Sequence, residues 1–284
     1  MSADNECLTL NNGVRMPLVG YGVFQVDPKE TERCVLEAIS AGYRLIDTAQ
    51  AYGNEEGVGA AIAKCGLSRS ELFLTTKVWV SHAGEEKAAA SIDESLRKLR
   101  TDYIDLLLIH QRYGDYHGTW RAMRKALSAG KVRAIGLSNF DQGRIADLVL
   151  SDGVKPAVLQ VQTNVFCQQR SMEAFLKPYG TAMTAWAPLT EASAEFFSNP
   201  VLAMAAEAHG KTVAQVALRW LIQRGIAVIP KTVRRERMEQ NLAVFDFELS
   251  EAEMAAIATL NRNDSGTVAF DDPKFIDWLI RTYA

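Results

Sequence analysis

The chain has 284 residues, of which 48% are hydrophobic, 23% charged and 8% aromatic, a composition that excludes disordered, collagen-like and disulfide-scaffold proteins. Lys and Arg number 31 against 34 Asp and Glu, a net charge of −3, so no large positive field exists to draw in nucleic acid or an acidic membrane. The length is enough to bury a sizeable core.

Along nearly the whole chain, short apolar, β-branched runs alternate with longer stretches of helical period, as repeated βα units around a parallel sheet do. Ahead of the first unit, L-T-L-N-N-G-V-R from Leu8 reads as a hairpin turning at Asn12-Gly13, placed to cap one end of a closed barrel. Eight strands are predicted at 18–21, 45–47, 72–77, 104–110, 134–137, 157–160, 183–186 and 226–229. Crossover helices are predicted at 31–41, 88–99, 119–129, 142–150, 172–179, 200–209 and 213–224. Asp27-Pro28 offers an N-cap with proline at the first helical position, and Gly42, Gly130 and Gly210 stand where left-handed C-caps are wanted. With no Pro/Gly/Ser linker and no shift in composition, the pattern predicts an α/β protein of one domain over 1–284, a (β/α)8 TIM barrel, in preference to two doubly wound domains. The tail from Asn261 to Ala284, with Phe270, Phe275 and Trp278, is expected near the barrel mouth, its alternative being an ordinary packed terminal helix.

Cys7, Cys34, Cys65 and Cys167 form no C-x-x-C pair and the four histidines fall in no ligand grouping, so a reducing compartment and no metal are expected. The opening M-S-A-D-N-E-C is acidic where an export signal needs basic residues, and no run approaches 18 apolar residues. A cytoplasmic protein without membrane or nucleic-acid partners is expected.

In a parallel barrel every βα junction opens onto the same face, so polar residues at strand ends share one mouth. Asp47, Lys77 and His110 end the second, third and fourth predicted strands, and Tyr52 stands five residues beyond Asp47. Singly, each has a plain structural explanation: a cap for Asp47, a snorkelling surface lysine, a hydrogen-bonded core histidine, a packed tyrosine. Together, a carboxylate, an ammonium, an imidazole and a phenol can perform acid–base chemistry. A free tyrosine has a pKa of about 10, a nearby ammonium is expected to lower it, and Asp47 would hold Lys77 charged and in place.

The segments L-I-D-T-A-x-x-Y-G-N-E, L-F-L-T-T-K-V-W, D-L-L-L-I-H, I-G-L-S-N-F and V-I-P-K-T-V-x-x-E-R-x-x-x-N resemble the aldo-keto reductases, from Leu8 to the C-terminal tail. The opening L-N-N-G-V-R-M-P-L-V-G-Y-G-V-F-Q-V and the segment A-W-A-P-L are most similar to the prokaryotic branch that includes the 2,5-diketo-D-gluconate reductases. The resemblance implies a (β/α)8 barrel that binds NADPH without a Rossmann domain, in accord with the lack of a strand-linked G-x-G-x-x-G; Gly57-Val58-Gly59 lies in a predicted helix. It implies that Tyr52 is the general acid, that Lys77 and Asp47 tune it, and that His110 orients the substrate carbonyl.

For the cofactor, the resemblance implies Ser138, Asn139 and Gln160 at the nicotinamide carboxamide and Trp186 stacked on the nicotinamide face. It places Lys231, Thr232 and Arg237 at the adenosine 2′-phosphate and Asn241 at the adenine edge, with Gln240 where relatives have a glutamate. Gly22, Val23, Pro188, Leu189 and Val233 are its further cofactor contacts, and Phe24, Trp79 and Gln111 its substrate-pocket wall. Cap and turn chemistry at Ser138-Asn139, a core role for Trp186 and a solvated positive face for Lys231, Arg234, Arg235 and Arg237 are the alternatives. The sequence departs from the family pattern at Gln111-Arg112-Tyr113 and at V-Q-T-N-V-F after Gln160. A polar amide and guanidinium at the pocket rim are expected to favour small hydrophilic or anionic carbonyls, with solvent exposure of Arg112 as the alternative.

The implied function is NADPH-dependent reduction of small polar aldehydes and ketones, α-dicarbonyls or keto sugars by a monomer. The alternatives are an NADPH-binding regulatory barrel with negligible turnover and a Schiff-base aldolase using Lys77, which leaves the Lys231 to Asn241 motif unexplained.

Overall fold

The computed structural model describes residues 6–262, 270 and 272–283. Cys7–Thr9 (β1) and Arg15–Pro17 (β2) pair antiparallel with Leu8 opposite Met16, and the Gly13 N–H donates to the Leu10 carbonyl in the predicted turn. Eight parallel strands then form one sheet in chain order: Gly20–Gly22 (β3), Leu45–Asp47 (β4), Phe73–Val78 (β5), Ile104–Ile109 (β6), Val132–Ser138 (β7), Val158–Gln162 (β8), Ala182–Trp186 (β9) and Ala227–Val228 (β10). The first and last strands meet: Val19 bridges Val228 in parallel, and the Val228 N–H donates to the Leu18 carbonyl at 2.8 Å. The sheet is thereby closed, a (β/α)8 barrel with a hairpin ahead of it.

Strands buried on both faces need near-continuous apolar runs, and every residue of β5 and β6 is buried. Each predicted strand is present. The last is one residue shorter at each end than predicted, although the Ile229 N–H still donates to the Ala185 carbonyl, and beyond it Pro230 has no N–H to donate.

The helices are Pro28–Ala41 (α1), Glu55–Lys64 (α2), Glu85–Leu99 (α3), Tyr116–Ser128 (α4), Gln142–Asp152 (α5), Arg170–Leu176 (α6), Ala194–Phe197 (α7), Pro200–His209 (α8), Val213–Gln223 (α9), Arg235–Leu242 (α10), Glu251–Ala258 (α11) and Pro273–Tyr283 (α12). α1 begins as predicted, with the Asp27 carboxylate accepting from the Lys29 N–H and Pro28 in the first turn, and ends at Gly42 with φ 116°. Gly59 lies inside α2, and a Cβ there would stand 2.2 Å from the Lys98 carbonyl oxygen, so this glycine serves close helix packing and not phosphate binding. At the base of the barrel Asp105, fully buried, is held by Arg69 and Arg133, each at 2.6 Å, and by the Leu74 N–H.

Among the described residues no group of His, Cys, Asp and Glu is arranged to hold a metal ion, and no helix is long and apolar enough to cross a membrane.

Candidate active site

Because the eight strands are parallel, their C-terminal ends frame one mouth, and a cavity of about 1450 Å³ opens there. Behind its wall, beneath Tyr52, lies the Lys77 ammonium, wholly buried. It donates to Asp47 Oδ1 at 2.5 Å, to the Thr48 carbonyl at 2.8 Å and to the Tyr52 hydroxyl oxygen at 3.3 Å, so all three of its protons are used. The second oxygen of Asp47 accepts from the Gln160 amide at 2.8 Å. Burial draws the Lys77 ammonium towards neutrality, but the Asp47 carboxylate and the Tyr52 hydroxyl outweigh it and its pKa lies above the usual lysine value.

Tyr52 closes a single turn, Gln50–Tyr52, that Gln50 pins in place. The Gln50 amide donates to Ser95 Oγ at 3.1 Å and its oxygen accepts from the Trp79 N–H at 2.9 Å. The pKa of Tyr52 corrects the expectation from sequence. Burial raises it by more than Lys77 lowers it, and the phenol stands above its ordinary value. His110 moves the other way: burial, then the charge of Lys77, hold its imidazole well below the usual histidine value, so it is neutral at neutral pH. Its Nδ1 is buried without a hydrogen-bond partner among the described residues.

The tyrosine and histidine rings form one side of an aromatic slot. Tyr52 meets His110 edge-on at 5.5 Å between centroids, His110 meets Trp79 at 4.9 Å, and Phe24 lies 5.0 Å from Tyr52. Gln111 joins this wall.

Further along the cavity, Asn139 serves both turn and site. It is left-handed at φ 62°, donates to the His110 carbonyl at 3.2 Å, and accepts from the Trp186 indole N–H at 2.9 Å. Trp186 is therefore turned with its ring on the cavity wall and not sunk in the core, beside Ser138, Gln160, Pro188, Leu189 and Gly22. The same cavity is also lined by Lys231, Thr232, Arg237, Gln240 and Asn241. The basic cluster thus divides: Lys231 and Arg237 reach the cavity, whereas Arg235 pairs with Glu239 at 2.9 Å.

Three of the residues singled out in the sequence are off the cavity wall. Lys77 lies behind Tyr52. Val23 is fully buried, with its N–H on the Asp47 carbonyl and its own carbonyl accepting from Asn54 at 2.9 Å, and Val233 faces outward.

Arg112 is neither at a polar pocket rim nor in solvent. It is buried, pairs with Asp141 at 3.1 Å, and lies 5.7 Å from the centre of the Phe270 ring, while the Tyr113 hydroxyl donates to the Phe270 carbonyl. The tail does stand at the mouth, where Phe270, Phe275, Trp278 and Leu279 line the cavity; residues 263–269, 271 and 284 lie outside those described.

Sequence reasoning missed Thr212, Val213 and Ala214 at the start of α9, which also line the cavity, although the capping box of Thr212 with Gln215 marks that helix start. It also missed the turn at Ala187, Thr190, Glu191 and Ala192, where four non-glycine residues have positive φ and no residue type announces it.

Residues 18–262 match the model of the Aldo/keto reductase family. A glyoxal reductase of Bacillus subtilis is 43% identical over 261 residues, covering 91% of this chain and 94% of the relative. A morphine 6-dehydrogenase of Pseudomonas putida is 40% identical, covering 98% and 97%. The crystal structure of a Bombyx mori aldo-keto reductase in complex with NADP superposes with a TM-score of 0.86 at 35% identity, covering 96% of each chain. The chain belongs to the aldo/keto reductase family.

Proposed function

We propose that this enzyme reduces small polar aldehydes and ketones to alcohols with NADPH, using Tyr52 as general acid. The observation that carries the proposal is the contact of Lys77, paired with Asp47, with the hydroxyl of Tyr52, which lines one cavity together with Lys231 and Arg237.

The residues present fit a nicotinamide dinucleotide. A cavity of about 1450 Å³ exceeds the roughly 300–1,000 Å³ of an ordinary small-ligand site. Lys231 and Arg237 would hold the 2′-phosphate, and a charge-assisted bond to that dianion favours NADPH over NADH. Asn139, Gln160 and Trp186 would hold the nicotinamide, and when bound the cofactor supplies the hydride that the carbonyl carbon receives.

The protein's own part is to receive the carbonyl oxygen and give it a proton. A phenol with a raised pKa is protonated at neutral pH but a weak acid, so its donation depends on what stabilises the phenolate. As the proton leaves Tyr52, the phenolate forms 3.3 Å from the Lys77 ammonium, which stabilises it at the moment charge appears. Asp47 and Gln160 hold the ammonium in that position. A neutral His110 offers the carbonyl a hydrogen bond without adding a second cation beside Lys77.

The aromatic slot with Gln111 in its wall supports small carbonyls with polar substituents, such as α-dicarbonyls and keto sugars. Following NADPH consumption at its nicotinamide absorbance against aldehydes, α-dicarbonyls and keto sugars tests the proposal. Turnover with at least one class is expected, and no consumption with any of them overturns it.

A further inference from the structure

The stretch 229–234, between β10 and α10, is neither helix nor strand, yet it carries Lys231 and leads into the turn that bears Arg237. Irregular chain that presents cations to a ligand must itself be held, because any backbone freedom left in it is lost when the ligand orders it. β3 supplies two restraints: the Gly22 N–H donates to the Pro230 carbonyl at 3.3 Å, and the Tyr21 hydroxyl donates to the Thr232 carbonyl at 2.6 Å. A second tyrosine does the same further along. Tyr43, just beyond the left-handed Gly42 that ends α1, donates its hydroxyl to the Met238 carbonyl of α10 at 3.0 Å. The two rings meet edge to face at 5.7 Å between centroids, and both are buried.

A buried phenol is costlier than a phenylalanine unless its hydroxyl is bonded, and both hydroxyls here go to main-chain carbonyls of one short stretch. Burial pushes both phenols above the ordinary tyrosine value, so each keeps its proton and donates it. Thr232 and Met238 bracket Arg237, Thr232 directly follows Lys231, and Thr232 Oγ1 accepts from the Arg234 N–H at 3.2 Å. Neither tyrosine lines the cavity, whereas Lys231, Thr232 and Arg237 do.

We propose that Tyr21 and Tyr43 are positioning residues for cofactor selectivity, fixing the main chain at Thr232 and Met238 so that Lys231 and Arg237 stand ready for the 2′-phosphate of NADPH. This rests on the NADPH reading above and adds to it two side chains that touch neither nucleotide nor substrate. Without the Tyr21 hydroxyl a buried carbonyl loses its donor and must seek another, and the backbone that carries Lys231 moves with it. NADH, which lacks the phosphate, is less sensitive to where those cations stand.

The test is the dissociation constant of NADPH and of NADH, read by quenching of tryptophan fluorescence, in the unsubstituted protein, Tyr21→Phe, Tyr43→Phe and Arg237→Ala. Alongside it, hydrogen exchange of the main-chain amides of 231–238 is followed in the cofactor-free proteins. Each Phe variant is expected to lose at least about threefold in its preference for NADPH over NADH, the scale of one hydrogen bond's net worth, and to exchange faster across that stretch. A general loss of stability would weaken both nucleotides alike, and retained NADH binding shows that each variant is folded. A smaller fall in preference, or exchange unchanged across 231–238, overturns the inference for that tyrosine, and if Arg237→Ala does lose the preference the phosphate site still stands. No loss of preference in Arg237→Ala, or none to lose in the unsubstituted protein, overturns the phosphate site and this inference with it.

Discussion

Gln160 and Asp47 are 113 residues apart in the chain and meet across the barrel, the amide of β8 donating to the carboxylate of β4 at 2.8 Å. Asp47 gives its other oxygen to Lys77, so one carboxylate ties the Lys77–Tyr52 pair to the wall that would hold the nicotinamide. Its charge is what keeps a wholly buried ammonium protonated against the pull of burial.

Asp47→Asn tests that dependence. Removing the counter-charge lets burial draw the Lys77 pKa down, so the ammonium is lost at lower pH than in the unsubstituted protein. The expected outcome is a fall in kcat/KM of about 10² or more, with the alkaline limb of the pH profile displaced to lower pH. A pH–rate profile checks it; an unmoved alkaline limb counts against control of Lys77 by Asp47.

Tyr52→Phe removes only the hydroxyl. Turnover is expected to fall by roughly 10² to 10⁴, the usual loss on deleting a general acid, while NADPH binding is retained. Lys77→Met should do comparable damage, since the phenolate then forms in a buried site with no cation beside it. Single-turnover rates alongside fluorescence titration separate chemistry from binding. A Phe variant with near-normal turnover rules out Tyr52 as the proton donor.

Much of this arrangement is legible in the sequence because strand ends in a parallel barrel converge by topology. A short, largely apolar run such as Ile104–Ile109, set among alternating helical stretches, reads as a strand buried on both sides, and it delivers His110 to the mouth without any knowledge of contacts. What the sequence leaves illegible depends on balances and on distant partners. Lys77 beside Tyr52 suggests a lowered pKa, yet burial, which is a property of the assembled fold, decides the direction. Arg112 looks like a rim cation until Asp141, 29 residues on, folds beside it and the Phe270 ring comes near. Val23 lies among matched positions, yet its main chain is taken up by Asp47 and Asn54.

Arg237 lines the cavity on the first turns of α10, whereas Arg235 is engaged with Glu239. Arg237→Ala is therefore expected to weaken NADPH binding by roughly 2 to 4 kcal/mol and to change NADH binding much less, because only NADPH carries the 2′-phosphate. Arg235→Ala, in contrast, should leave the preference unaltered. Fluorescence titration with both nucleotides measures it, and equal losses for NADPH and NADH would place Arg237 away from the phosphate.

His110 carries a consequence for stability as well as for chemistry. Its folded pKa lies well below that of an exposed histidine, through burial first and Lys77 second. Above a pH of about 6.5 the ring is neutral in both the folded and unfolded chains, and it contributes no pH dependence. Below that pH the unfolded chain takes up a proton that the folded chain refuses. Stability is therefore lost as pH falls towards the folded pKa, with a slope of up to about 1.4 kcal/mol per pH unit for this one group. His110→Gln removes the titration and keeps a polar side chain at the site. All other titrating groups are common to both proteins, so most of their contribution cancels in the difference. Urea unfolding from pH 8 down to pH 5 should show a constant stability difference above pH 6.5 and a shift in favour of the variant below it. Parallel curves throughout that range would mean that the folded protein accepts the proton on His110 as readily as the unfolded chain does.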